Sequence, residues 1–330
     1  MVKNDNDLLK NNSYLLFFRS FGWIILSLIF CFLINNILVI GFDYPTFYNV
    51  FTDFDTSSFL VLFLYIIGFF TPIFFVILSS SSSLRIDAKK LHYFNVYLIR
   101  AFFWTIIFTG LIDFIIAFMR VEKLLPFLFD DYLTRALGRS IFVGLYVHIP
   151  LIILGFVTAF FTRTIGFTWL ALLIVVGELL IVISRFIFSY EQSFMGDLVR
   201  YWYAALFLFA SAYTLYEDGH VRVDVFFASM KNKTKSFINA FGSIFLGAST
   251  CIAIIFFGLD GKRSIINSPI LNFEVTQTGT VGMFIKYQMA GFLAIFAITM
   301  LIQFISYYFK SIADYRNEPI ISDNNETVRL

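Results

Sequence analysis

Apolar runs of roughly 20 residues recur along the whole chain, separated by short polar stretches. A helix of that length crosses the hydrocarbon of a bilayer with every backbone group satisfied internally. The pattern predicts spans over Phe21–Ile40, Phe59–Leu78, Val96–Phe118, Ile141–Phe161, Phe167–Ser184, Val199–Leu215, Phe237–Gly258 and Phe284–Tyr307. The fold class is therefore all-α: a polytopic integral membrane protein with about eight transmembrane helices. Pro72 and Pro150 fall inside spans and are expected to kink them. Residues 120–139 mix charged and apolar positions and read as an amphipathic segment lying in the interface. The polar stretch 317–330 reads as a disordered tail.

Composition agrees: 59% of residues are hydrophobic, 14% are charged, and mean hydropathy is +0.82. A soluble domain that apolar would not stay in solution, so the solvent is largely lipid. The 46 phenylalanines read as lipid-facing bulk rather than as a binding surface. A net charge of +2 argues for no nucleic-acid partner. Cys31 and Cys251 both lie in apolar runs and are read as unpaired. The polar N-terminus leads into a run long enough to cross, and no cleavable signal peptide is evident.

Lys and Arg set the expected orientation. Lys3, Lys10, Arg19, Arg85, Lys89, Lys90, Arg163, the 222–235 segment, Lys310 and Arg316 fall on one side. The loops at 41–58 and 189–196 carry none. Both termini are therefore expected to be cytoplasmic, although Arg120, Lys123, Arg135, Arg139, Lys262 and Arg263 fall on the opposite side.

One stretch says more than polytopic membrane protein. Residues 196–225 read GDLVRYWYAALFLFASAYTLYEDGHVRVDV, an apolar span between a charged entrance and a charged exit. Asp197, Leu198, Arg200 and Tyr201 fit a helix start of the form E-L-x-R-Y, with Asp in place of Glu. Asp218, Gly219, His220, Val221, Arg222, Val223 and Asp224 fit a loop D-G-H-V-R-V-D. Upstream, Arg185, Phe186 and Phe188 fit R-Y-x-F, and Lys231, Lys233 and Lys235 follow the loop. On these residues, roughly 167–312 resembles the small permease subunit, DctQ, of tripartite ATP-independent periplasmic (TRAP) transporters. The family's Trp before the helix start is absent; Met195 and Gly196 stand there.

The resemblance implies a division at 1–165 (a four-helix membrane extension), 166–316 (the small-permease unit) and 317–330 (the tail). It implies a subunit that braces a large permease for sodium-coupled uptake of organic acids. A periplasmic solute-binding protein delivers the substrate, and the setting is a bacterial inner membrane. The implied partners are that permease, the binding protein and membrane lipids, with no enzymatic role and no cofactor. Arg85 and Asp87 in SLRIDAKK align with Arg222 and Asp224 in HVRVDVFF. The first half is then either a diverged copy of the second or an unrelated extension with an ordinary basic loop.

Candidate residues follow. Asp218, Gly219, His220, Arg222 and Asp224 form a partner- or lipid-interface motif, with Gly219 suited to ending a helix. Asp197, Arg200 and Tyr201 form the helix-start motif; Asp197 and Arg200 share a helix face at i,i+3 spacing. Lys262 and Arg263 are candidates for docking the binding protein through complementary charge. Glu178 and Asp113 lie within spans, where a carboxyl is costly and draws a functional reading. They would serve an autonomous ion channel or carrier, or polar contacts between helices; a membrane assembly protein unrelated to transport is a further alternative. His92, His148 and His220 are the three histidines, and with no HExxH or cysteine pair they do not compose a zinc site. No Ser-His, paired-Asp or metal constellation recurs at sensible spacing in the spans, so an intramembrane enzyme is disfavoured.

Overall fold

A computed structural model of the chain describes residues 5–47, 49–51, 55–79, 82–164, 166–217 and 225–319. The interface motif at 218–224 and nearly all of the 317–330 tail lie outside the described residues. Within them every regular element is helical, with no strand. The long helices are α1 Asp5–Phe42, α2 Thr56–Leu78, α3 Leu84–Val121, α4 Ser140–Phe161, α5 Phe167–Phe188, α6 Ser193–Tyr216, α7 Asn232–Leu259 and α8 Lys286–Tyr315.

Among the described residues, seven helices are long and apolar enough to cross a membrane: α1 from Tyr14 onward, α2, α3, α4, α5, α7 and α8. The chain is an all-α polytopic membrane protein. The eighth expected span forms a helix, α6, but is not one of the seven. Its first turns hold Asp197 and Arg200, and Phe194, Leu198, Tyr201, Trp202, Ala205 and Phe209 are buried. Its apolar side chains thus serve largely as protein core. Several helices overrun their apolar runs, because a helix needs only its backbone bonds to continue and the sequence supplies no breaker. Residues 84–109 contain neither Gly nor Pro, so α3 begins at Leu84 with Arg85, Asp87, Lys89 and Lys90 riding on its first turns.

The described residues fall into two compact units, each drawing on both halves of the sequence. The first takes residues from Met1–Tyr93, Asp218–Ser264 and Met300–Asn324. Lipid supplies little hydrophobic drive between helices, so close packing and buried hydrogen bonds hold such a unit together. Gly22 lets the Phe309 ring approach, Gly68 receives the Cys31 thiol, and Gly247 lies against the Phe304 ring. Asp55 caps α2, its carboxylate accepting the Thr56 amide at 2.7 Å. Arg19 of α1 is wholly buried and pairs with Asp87 of α3 at 2.9 Å. Arg19 also donates to the Ser79 carbonyl at 2.8 Å, and Asp87 accepts from the Trp23 indole at 3.0 Å and from Ser82 at 3.2 Å. The start of α3 meets the end of α8 through Arg85–Asp314 at 2.6 Å and Ser306 to the Ala88 carbonyl at 2.8 Å.

The second unit takes residues from Phe94–Glu217 and Ile265–Thr299. Phe209 of α6 sits among Phe102, Phe103 and Phe292. The Trp202 indole donates to the Ile106 carbonyl at 3.2 Å, and Asn95 donates to the Thr299 carbonyl at 3.0 Å. At Gly155 of α4 a Cβ would stand 2.6 Å from the backbone nitrogen of Thr105, so only glycine permits this approach to α3. The stretch after α3 that the sequence suggests for the interface forms two short helices, Leu125–Leu128 and Asp131–Leu137. Asp130 caps the second, accepting from the Leu133 amide at 3.1 Å. In α4 the hydrogen bonding widens to π-type over Gly144–His148, directly before Pro150. Proline has no amide for the carbonyl one turn earlier, and a π segment is one way a helix absorbs that loss.

Candidate functional site

The polar side chains of the second unit converge on one buried cluster. Asp113 of α3 and His148 of α4 have no exposed surface. Asp113 sits two turns before the end of α3, and His148 closes the π segment of α4. Asp113 Oδ1 and His148 Nε2 face each other at 3.4 Å, and neither atom has another hydrogen-bond partner. The second carboxylate oxygen accepts the Phe284 backbone amide at 2.8 Å.

From His148 the network continues without a break. Its Nδ1 lies 2.7 Å from the Tyr287 hydroxyl, and the two rings stack with centroids 5.9 Å apart. Gln288 Nε2 is 3.2 Å from the same hydroxyl. Gln288 Oε1 meets the hydroxyl of Tyr201, which lies 2.8 Å from Thr109 Oγ1. Thr109 donates in turn to the Thr105 carbonyl at 2.8 Å. Four helices, α3, α4, α6 and α8, therefore share one hydrogen-bond chain in which Tyr201 and Thr109 are fully buried.

The loop leading into α8 is clasped from two sides. Asp197 of α6 is buried and accepts the Met283 amide at 3.1 Å and the Thr276 hydroxyl at 3.4 Å. The next amide, Phe284, goes to Asp113. Any side chain at Gly282 would put its Cβ 2.7 Å from the Asp197 carboxylate. Arg120 completes the clasp, donating to the carbonyls of Thr280 at 2.6 Å and Gly282 at 2.5 Å with its guanidinium 3.9 Å from the Phe284 ring centroid. Beside the loop, a cleft of about 640 Å³ is lined by Tyr132, Arg139, Ser140, Tyr146, Thr280 and Phe284, among others.

Asp197 and Tyr201 of the helix-start motif belong to this network, while Arg200 is exposed. The same-face spacing of Asp197 and Arg200 gives way to loop capping, because two polar hydrogens of the 276–283 stretch reach the carboxylate. The two intramembrane carboxyls have opposite surroundings. Asp113 is enclosed, whereas Glu178 is exposed midway along α5. Arg185, at the end of α5, pairs with Glu191 at 3.3 Å rather than with Glu178. In the first unit Lys262 pairs with Asp43, and Arg263 is exposed. Asp218, Gly219, His220, Arg222 and Asp224 lie outside the described residues. No group of three or more His, Cys, Asp or Glu among the described residues is placed to hold a metal ion. Sequence reasoning weighed His148 only as a zinc ligand and did not single out Thr109, Tyr287 or Gln288: a histidine in a span containing Pro150 was the available signal, and nothing in the spacing linked it to Asp113.

Residues 172–310 match the family model of the tripartite ATP-independent periplasmic transporters, DctQ component. The match runs from α5 to the later turns of α8 and covers less than half of the chain. Asp197, Tyr201, Phe284, Tyr287 and Gln288 lie within it, whereas Thr109, Asp113 and His148 lie outside. No curated protein and no solved structure matches the chain.

Proposed function

Taking residues 172–310 as a DctQ-type unit, we propose that the chain is the small membrane subunit of a TRAP-type secondary transporter. It works as a scaffold rather than as an enzyme. It braces a large permease for sodium-coupled uptake of organic acids handed over by a periplasmic solute-binding protein. The chain lies in the bacterial inner membrane with both termini cytoplasmic, α6 crossing as an eighth helix whose buried face is protein core. The interface motif 218–224 then faces the cytoplasm, and Arg263, beside the paired Lys262, faces the binding protein.

Beyond the family match, the observation that carries this reading is the environment of Glu178. Helix α5 is the least buried of the seven candidate spans, with 11% of its most apolar window covered. Glu178 lies exposed near the middle of that helix. A carboxyl facing acyl chains at mid-bilayer costs about 2.5–3.5 kcal/mol or more. A second protein covering α5 and giving Glu178 a hydrogen-bond partner removes that cost. The large permease is the partner we propose for that face.

The test is co-expression of the chain with its neighbouring permease gene and purification in mild detergent. The permease is expected to co-purify at about one to one, and Glu178→Cys to cross-link to it through a short bifunctional thiol reagent. Purification of a stable chain free of a well-expressed permease would defeat the proposal. Ion flux from the chain alone in liposomes, lost in Glu178→Gln, would support an autonomous channel in its place.

A further inference from the structure

We infer that Asp113 and His148 form a proton-binding site inside the protein, and that its occupancy sets the direction of the hydrogen-bond chain joining α3, α4, α6 and α8. The inference stands on the geometry of the second unit and does not rest on the transporter reading. Its starting point is the pair of unpartnered atoms, Asp113 Oδ1 and His148 Nε2, both fully buried and 3.4 Å apart. Two such atoms have one simple way to satisfy each other: a hydrogen between them.

Only a proton is gained or lost, and the count closes in each state. Without it, Asp113 is a carboxylate and His148 a neutral ring with its hydrogen on Nε2, directed at Asp113. Nδ1 then accepts from the Tyr287 hydroxyl, whose oxygen accepts from Gln288 Nε2. Gln288 Oε1 accepts from Tyr201, and the pair carries one negative charge. When a proton arrives from water, the pair becomes neutral overall. Whether it rests as Asp–COOH with His148 or as carboxylate with imidazolium, Nδ1 now bears a hydrogen and donates to Tyr287. Tyr287 must then donate onward, the Gln288 amide turns over, and Gln288 Nε2 donates to Tyr201. Tyr201 donates to Thr109, and Thr109 to the Thr105 carbonyl. Every donor finds an acceptor in both directions, using contacts already in place. An amide does not pass protons, so the chain relays orientation while the proton stays at Asp113 and His148.

The charged and titratable groups around the pair are known from each packed element. Arg120 of α3 holds the loop carbonyls beside Phe284. Asp197 and Tyr201 come from α6, and Tyr287 from α8. Phe284 is the residue common to the 640 Å³ cleft and the pair: it lines the cleft, and its amide donates to Asp113.

The chain has three histidines, so nitrogen-15 NMR of the histidine-labelled full-length protein in lipid can resolve each ring. His148→Gln assigns the His148 signals. Spectra from about pH 4 to about pH 9 bracket the ordinary carboxyl and imidazole ranges. The expected result is that His148 Nδ1 is bare at the alkaline end and protonated at the acid end. In Asp113→Asn that conversion should disappear or move by more than about one pH unit. Tyr287→Phe keeps the ring stack and removes the hydroxyl, so it should move the midpoint without unfolding the protein. A His148 ring that keeps one protonation pattern across the range overturns the inference in the wild type alone. A conversion unchanged by both Asp113→Asn and Tyr287→Phe overturns it as well.

Discussion

Arg19 shows how much a single buried charge depends on its neighbours. Its guanidinium is fully buried and held by Asp87 and the Ser79 carbonyl. Removing one member of a buried ion pair leaves the other uncompensated and typically costs about 3–5 kcal/mol, whereas replacing both by apolar residues is often neutral. Asp87→Leu should therefore lower the thermal midpoint of the detergent-solubilised protein strongly, and Arg19→Met with Asp87→Leu should recover much of the loss. A double variant as unstable as the single one would mean that the hydrogen bonds of Trp23 and Ser82 to Asp87, not the charge pair, dominate. Legibility at this scale was uneven. Asp113 and Glu178 stand out in sequence because carboxyls are rare in apolar runs. Their opposite environments do not, because periodicity within one helix carries no information about which neighbour covers which face. The same limit hid Asp197, whose visible companion was Arg200 and whose actual partners, Met283 and Thr276, lie far along the chain.

For the helices, the apolar runs located the spans well and their ends poorly, because charged turns such as Arg85–Lys90 continue the helix where hydropathy falls away. Packing between helices is finer-grained still. At Gly155 the backbone of Thr105 occupies the space of a Cβ, while at Gly41 nothing lies within 4 Å. Gly155→Ala should destabilise the protein by about 1–3 kcal/mol through forced separation of α3 and α4. Gly41→Ala should be close to neutral. Thermal unfolding of the two variants in the same detergent checks the contrast, and equal effects would refute the close approach. The π segment that ends at His148 was equally invisible beforehand: Pro150 announces a disturbed helix, but not how the disturbance is absorbed.

Across the whole molecule, the sequence resemblance stops near residue 167, yet the buried contacts of α6 and α8 do not. Tyr201 meets Thr109, Trp202 meets the Ile106 carbonyl, and the Phe284 amide meets Asp113. A fragment beginning at residue 166 would expose each of these groups without its partner. It should aggregate or fail to insert where the full chain is monodisperse, as judged by size-exclusion chromatography in detergent. A monodisperse, helical fragment would show that residues 166–316 stand alone. The clasp on the loop before α8 also has a chronology. Translation delivers Asp113 and then His148 to the membrane well before Met283 and Phe284 are made. Until α8 arrives, Asp113 lacks the amide that finally satisfies it. The nascent chain must therefore carry an unfinished polar seam through most of its synthesis, shielded by water or by the insertion machinery, until α8 and the loop before it close it.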